Sequence, residues 1–445
     1  MRAVSLFSGC GGMDLGFQQA GFTIERSADF DSASAAVHQM NLGGDFERVD
    51  LTEVDFRRWR DELGTVDVVL GGFPCQGFSK AGPKRADDVR NSLYTAMRDA
   101  VKELQPSAFV AENVEGLAQN FGGRYLRLIH EEFDAIGYSV QERLVDAVGF
   151  GVPQHRRRII FVGTLKTGHG GVGEFMWPPT RYTVNVRNGE PMRAKSMEAT
   201  LHGAEFQGLW ELPAPKTISD AIQDLSDLPL GTGDHIVRSQ WPSHYEAVIR
   251  AIKPGQKLCN VRHGPESVRT WDIPEAFGQT SDLERELLET IARNRRHKRY
   301  GRIPNGNPLA VEVIEDLTSK SDLRPVLEDL TRRNFLKEKD GKFDLVGAMF
   351  ASGLFKRPDW NEPSPTVITD FGNPRYFLHP FRDRPFTVRE CARLQGFPDG
   401  FEFLLAGVSI GDAYRLIGNA VPPPLSYAIA GQIREMLTTE RRRSA

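Results

Sequence analysis

The stretch Ala3–Phe17, AVSLFSGCGGMDLGF, decides the architecture. Val4–Phe7 reads as a β-strand buried on both faces. It runs straight into a glycine-rich turn and then into an amphipathic helix expected over Met13–Ala20. Strand, glycine turn and helix together open a doubly wound α/β sheet. The turn of such a sheet is a cofactor cradle, because glycine lets the backbone come close to a ligand. The dinucleotide pattern G-x-G-x-x-G is met at Gly9 and Gly11, but its third position is Asp14, and no Walker lysine follows. An acid near a helix start repels a pyrophosphate. A cofactor without phosphate suits this turn better, and S-adenosylmethionine is one. Asp29 lies 20 residues beyond Gly9, where an acid binds ribose hydroxyls, and Phe30 beside it could lie against an adenine ring. The glycines alone would also fit a tight turn with no ligand; Asp29 and Phe30 reduce the weight of that reading.

Working outward, short apolar strands and amphipathic helices alternate through about residue 165. Strands are expected at Val4–Phe7, Thr23–Ser27, Val66–Leu70, Ala108–Ala111, Ser139–Leu144 and Arg158–Val162. Helices are expected at Met13–Ala20, Ser32–Met40, Phe56–Leu63, Ser92–Leu104 and Arg124–Ile136. This alternation predicts a mostly parallel sheet covered on both faces, with ligands at the carboxyl ends of its strands. After about Thr167 the alternation stops and glycine and proline become frequent. We therefore expect a catalytic and cofactor-binding segment over 1–175, an irregular second domain over 176–383, the remainder of the first domain over 384–438, and a frayed tail over 439–445. Within the middle segment, Ser321–Arg333 reads as a helix, and Phe335–Lys339, Asp340-Gly341, Lys342–Val346 as a hairpin. A helix followed by a basic hairpin resembles a winged helix, here at about 320–347. Near the end, Thr387 is a plausible N-cap, and Pro422–Pro424 break the chain before a long last helix.

Composition bounds the class. At about 150 residues per domain, 445 residues suggest two or three domains. A net charge of −3, with 40% apolar and 26% charged residues, is the balance of a globular protein and excludes a disordered or collagen-like chain. No run reaches the 18 or so apolar residues of a membrane span, and Met1–Phe7 lacks the pattern of a signal peptide, so no membrane partner is expected and the cytoplasm is the default. The four cysteines, Cys10, Cys75, Cys259 and Cys391, are far apart and form no CxxC, which argues against a disulfide framework or a zinc site. Near-neutral charge does not exclude nucleic acid, because clustering decides. RNRRHKRYGR, Arg293–Arg302, carries six basic residues and no acid. It reads either as a solvated face or as a phosphate contact through Arg293, Arg295, Arg296, Lys298 and Arg299.

Three further segments carry chemistry. VDVVLGGFPCQGFSKAG places Cys75 just past an apolar strand, on the cofactor side of the sheet. A structural cysteine would sit inside the apolar run. This one is flanked by stiff Pro74 and by flexible glycines, which suits an exposed, positioned thiol. It needs a lowered pKa or a nearby cation to act at neutral pH. The polar stretch Gly77–Asn91 after it could close over a substrate. AFVAENVEGL places Glu112 at the end of the next strand, where a carboxyl in a cleft can have a raised pKa and donate a proton; capping the following helix is the blander role for Glu112. GVPQHRRRIIFVG sets three arginines at a strand start, and Arg158, next to the apolar run, could be held rigidly against a carbonyl or a phosphate.

In this order the segments resemble the cytosine-C5 DNA methyltransferase family of bacterial restriction-modification type. FSGCGGMDLGF looks like its cofactor loop, GGFPCQGFS its Pro-Cys motif, AENV its Glu-Asn-Val motif and QHRRRIIFVG its Gln-x-Arg-x-Arg motif. RPFTVRECARLQGFPD and GNAVPPPL look like its last two motifs, and Thr366-Val367 resembles a short signature near the end of its variable target-recognition region. The resemblance covers about 1–165 and 384–435. It implies a cytosine flipped from duplex DNA, attack on C6 by Cys75, and methyl transfer from S-adenosylmethionine to C5. It implies that Glu112 contacts N3 and the exocyclic amine, that Arg158 contacts O2, and that Arg156 lies near the nucleophile. It carries over Phe7, Gly9, Cys10, Gly11, Asp29, Phe30, Asp50, Pro74 and Asn419 as cofactor residues, and Gln76, Ser79 and Thr366 as DNA contacts. The ribose acid is Asp29 rather than the commoner Glu, one methylene shorter.

The partners implied are double-stranded DNA and, as a separate protein, a companion restriction endonuclease; the chain itself is expected to act as a monomer. With the cofactor loop starting at residue 5, no regulatory domain is expected before it. The sequence also admits three rival readings. A related subgroup methylates transfer RNA, but lacks a variable region of about 200 residues like this one. A binding module without catalysis would not need Cys75, Glu112 and Arg158 together. A cysteine hydrolase would need His155 near Cys75 and leaves Asp29 unexplained.

Overall fold

The computed structural model describes residues 1–73, 93–119, 123–166, 173–184, 186–187, 190–191, 212–238, 241–261, 264–303, 306–347 and 351–444. The chain divides into two compact units. The first holds Met1–Ile236, Asn361–Asp370 and Thr387–Ala445; the second holds Val237–Trp360 and Phe371–Phe386.

The first unit is built on β1 (Arg2–Leu6), α1 (Gly12–Gln19), β2 (Thr23–Asp29), α2 (Ser32–Leu42), β3 (Asp45–Arg48), α3 (Phe56–Leu63), β4 (Val68–Gly71), α4 (Tyr94–Leu104), β5 (Ala108–Val114), α5 (Gly116–Gln119), α6 (Arg124–Ala135), β6 (Tyr138–Asp146) and β7 (Arg157–Leu165). These strands form one sheet in the order β3-β2-β1-β4-β5-β7-β6. Every neighbouring pair from β3 to β5 is parallel, and β7 runs antiparallel to both β5 and β6. The fold is thus α/β, doubly wound and mostly parallel. No α-helix separates β6 from β7, which is why β7 reverses.

Alternation along the strands fills both faces, as their unbroken apolar character requires. Val4, Val69, Phe109 and Phe161 face Trp59 of α3, Met97 of α4 and Phe133 of α6. Ala3, Val68, Val110 and Ile160 face Phe17 of α1 and the last helix. The strand missing from the sequence reading is β3. Its residues, DFER, are polar because it is an edge strand, tied by the ion pairs Arg26–Asp45 and Arg58–Glu47.

A short strand pair, β8 (Val186–Arg187) with β9 (Glu190–Pro191), and α7 (Ile218–Ile222) follow in the same unit. The second unit begins with α8 (Tyr245–Ala251), β10 (Lys257–Cys259), β11 (Ser267–Val268) and α9 (Pro274–Phe277). It continues with α10 (Asp282–Asn294), β12 (Leu309–Ala310), α11 (Val311–Thr318), α12 (Arg324–Arg332), β13 (Leu336–Lys339), β14 (Lys342–Leu345) and β15 (Ser352–Leu354). Strands β11-β10-β15 form one small sheet and β12-β14-β13 another. The hairpin expected at Asp340-Gly341 is present. Both turn residues have positive φ, 51° and 71°, as a two-residue type I′ turn demands.

The first unit resumes with α13 (Val388–Leu394), α14 (Ile410–Asn419) and α15 (Pro423–Ser444). Thr387 caps α13 in a capping box with Glu390. Where a frayed tail is expected, α15 runs to Ser444, and Arg441 pairs with Asp67 at 2.5 Å. The compact units also cut the chain differently from the expected 176–383. Residues 212–236 and 361–370 belong with the sheet, because Ile218 N–H bonds to Glu362 O at 3.0 Å and Ser364 N–H to Pro153 O at 2.9 Å.

Helices α1 and α15 lie in close contact, and glycine makes that possible. A Cβ on Gly16 would sit 2.6 Å from Pro423 O, and one on Gly12 would overlap Val421 O. Two glycines of the opening motif therefore serve packing rather than a ligand. No described helix is long and apolar enough to cross a membrane.

Candidate active site

The carboxyl ends of β1, β4 and β5 meet at one edge of the sheet. Phe7, after β1, is left-handed at φ 51°, and Gly9 and Gly11 follow at 55° and 90°. A Cβ on Gly72 would lie 3.9 Å from Phe7 O and 4.0 Å from a Glu112 carboxylate oxygen. The cofactor loop, the segment that leads to Cys75, and Glu112 are therefore neighbours. Pro74, Cys75, Gln76, Ser79 and the rest of the stretch to Asn91 lie outside the described residues.

Glu112 and Arg158 are brought together by sheet register. Glu112 pairs across β5 and β7 with Ile160, and Arg158 is two residues before Ile160 on the same face. Arg158 Nε lies 2.7 Å from the Glu112 carboxylate, and both side chains are largely buried, at 14% and 11% exposure. The carboxylate thus meets a strand-borne cation. Asn113, which the sequence reading passed over, donates from Nδ2 to Phe73 O at 3.1 Å. It anchors the last described residue before Pro74.

Arg156 does something other than expected. It is 1% exposed, and its guanidinium donates to Val367 O at 3.1 Å and Gly418 O at 2.9 Å. Burial, with Arg158 nearby, pushes its pKa well below the ordinary arginine value. A side chain spent on two backbone carbonyls is a positioning residue, tying the start of β7 to segment 361–370 and to the turn before Asn419. Gln154 completes the clamp: it donates to Leu394 O at 2.9 Å and accepts from Val367 N–H at 2.9 Å. Thr366, expected on DNA, gives its hydroxyl proton to His155 O at 2.6 Å. These bonds link segments more than 200 residues apart, and no local pattern announces them.

On the cofactor side, Asp29 accepts from Gly9 N–H and Asp31 N–H, both at 3.0 Å. Burial pushes its pKa up against the pull of these donors. Phe30 is 71% exposed, an unusual state for a phenyl ring at the end of a strand. Nothing lies within 4 Å of a Cβ on Gly9, so that side of the loop is open. Asp50 is exposed and accepts from Thr52, and Asn419 is exposed at the end of α14. An open loop flanked by Asp29 and Asp31, without a lysine, fits a sulfonium cation better than a phosphate. Cys10 turns its side chain away from the loop's open side. Its thiol is buried against Leu416 O at 3.7 Å and desolvation pushes it up to about 12. Asp14 also turns inward, bonding Ser5 at 2.5 Å, Ser27 at 2.8 Å and His38 at 2.8 Å.

In the second unit, Arg295 is no phosphate contact. It is buried and forms a bidentate pair with Asp344 at 2.6 and 2.7 Å. Arg293 pairs with Glu289 at 3.0 Å, while Lys298 is exposed and Arg299 lies over the Tyr300 ring.

The family described as C-5 cytosine-specific DNA methylase matches residues 1–435. The chain belongs to this family. The methylase is 31% identical to the type II methyltransferase M.AgeI of Thalassovita gelatinovora, over 98% of this chain and 99% of that protein. It is 28% identical to M.HgiCI of Herpetosiphon aurantiacus, with 96% of each covered. A solved structure described as a DNA modification methyltransferase encoded within an Escherichia coli prophage shares the fold. It has a TM-score of 0.53 at 24% identity, over 98% of this chain and 99% of the other. The methylase is thus a DNA cytosine-5-methyltransferase. Enzymes that methylate generally draw the methyl group from S-adenosylmethionine, and its acceptor here is DNA.

Proposed function

We propose that the methylase acts on one cytosine within a short duplex sequence, as part of a restriction-modification system with a separate endonuclease, in the bacterial cytoplasm. The observation that carries the reading is the Glu112–Arg158 pair, 2.7 Å apart and beside Gly72 on the approach to Cys75. A base inside a duplex hides its reactive atoms, so the cytosine must swing out of the stack to meet these groups.

In this reading the Cys75 thiolate adds to C6 and electron density moves onto C5. Glu112 bonds N3 and the exocyclic amine, and Arg158 bonds O2, so both offset charge as the ring becomes nucleophilic. Asn113 keeps the segment before Cys75 in register by holding Phe73 O. Arg156 and Gln154 hold the start of β7 without touching the base. S-adenosylmethionine, when bound, supplies the methyl group. Phe7, Gly9 and Gly11 would cradle it, Asp29 its ribose, and Phe30 and Asp50 its adenine, with Asn419 nearby. Loss of the C5 proton and expulsion of the thiolate then release the product and restore Cys75. The second unit would read the target, through side chains in the major groove.

Labelled S-adenosylmethionine and mixed-sequence duplex DNA test this, with bisulfite sequencing of the product. Label at cytosines in one short motif supports the reading. Cofactor binding with no label in DNA would count against it and send the test to transfer RNA.

A further inference from the structure

Within the second unit, α10, β12, α11, α12, β13 and β14 follow one another as helix, strand, helix, helix, strand, strand. The sheet order β12-β14-β13 places the first strand beside the last. Five residues, 319–323, join α11 to α12, and α12 leads directly into the hairpin. That is the chain path of a winged helix, in which α11 and α12 form the helix-turn-helix and β13-β14 the wing. It is a folding unit with its own core: Leu287, Ile291, Ile314, Leu327, Leu330 and Phe343 are fully buried together.

We propose that this winged helix is a second duplex-DNA contact of the methylase, with α12 toward base edges and the tip of the wing on phosphates. The inference rests on the reading of the chain as a DNA methylase, and adds where in the middle region the duplex is gripped. Three observations carry it. First, Leu327 and Leu330 pack inward, while Arg324, Glu328 and Arg332 recur at every fourth position and are exposed. Second, Arg324 lies 3.9 Å from Glu338 of β13, so the start of α12 and the outer side of the wing share one surface. Arg and Glu are residues that read guanine and cytosine edges in a major groove. Third, Lys339 and Lys342 face each other across the last pair of the wing, beside the turn. Like charges directly opposite in a hairpin are destabilising, and no ion pair described in the structure neutralises either lysine. An anion at the tip removes that repulsion, and a duplex backbone offers a row of them.

The test is equilibrium binding of the full-length protein to a labelled duplex carrying its target, across a salt series. K339A/K342A is expected to weaken binding 5- to 10-fold and to lower the slope of log K against log salt by about 2, near 0.9 for each lost phosphate contact. K339R/K342R is expected to bind like the parent protein. R324A/E328A, assayed on a duplex pool randomised around the target, is expected to relax the preference at one or two positions. Unchanged affinity, slope and preference in all these variants would overturn the proposal, as would a parent protein that binds no duplex. Loss of duplex binding by the wing variant, in a protein that places no methyl on DNA, would uphold this inference while sinking the reading it rests on.

Discussion

Glu112 and Arg158 form a close ion pair across the antiparallel strands β5 and β7 of a mostly parallel sheet. The reversal of β7 is what allows it. Arg158 stands at the start of β7 and Glu112 near the end of β5, so only antiparallel pairing brings both to the same edge.

Arg158→Ala is expected to lower kcat/KM about 10²- to 10³-fold, the range for removing one preorganised donor from a developing charge. Arg158→Lys should recover little, because a lysine point charge replaces a planar fork held by its strand. Duplex binding measured beside turnover separates this from a lost DNA contact. Binding that falls as far as turnover would refute the assignment.

Asn113 is expected to matter through Phe73. Asn113→Ala leaves the Phe73 carbonyl without its donor, at about 1–3 kcal/mol for a buried group. Its kcat should fall while affinity for cofactor and duplex holds. Equal losses in all three would mean that the bond supports the fold generally rather than the segment before Cys75.

How far the sequence reveals this site depends on how local the signal is. The strand–glycine–helix opening is read directly, because apolar runs and turn glycines act over a few residues. Phe56–Leu63 falls where its amphipathic pattern put it. Arg295 differs from its sequence reading for the opposite reason. Its place in a basic run suggested phosphates, but its partner Asp344 is 49 residues away. Arg156 and Thr366 share that difficulty, since their acceptors are backbone carbonyls that no side-chain pattern marks. Edge strand β3 escaped notice because an edge needs no apolar run.

Gly16→Ala tests the contact between α1 and α15. The added methyl meets the Pro423 carbonyl and the Ser426 hydroxyl, so a backbone shift is needed. Overpacking of this kind costs about 1–3 kcal/mol. The free energy of urea unfolding should fall by that amount, and the midpoint with it. An unchanged midpoint would show that the helices part easily.

His155 Nδ1 donates to the Asp146 carboxylate at 3.0 Å, and that bond raises the pKa of His155 above the ordinary histidine value. A raised folded value means that the pair stabilises fully below the unfolded pKa, about 6.5. The contribution disappears as pH rises through the folded value. His155→Gln should therefore lower the urea midpoint most at pH 5.5 and least at pH 8.5. A gap that widens toward alkaline pH would contradict the pair.

The most direct measurement is methyl transfer from labelled S-adenosylmethionine to duplex DNA by the parent protein and by Cys75→Ala, with the product digested to nucleosides. The account predicts label in 5-methylcytosine from the parent and none from the variant, with duplex binding retained by both. Label in 5-methylcytosine from Cys75→Ala at the parent's rate would contradict it.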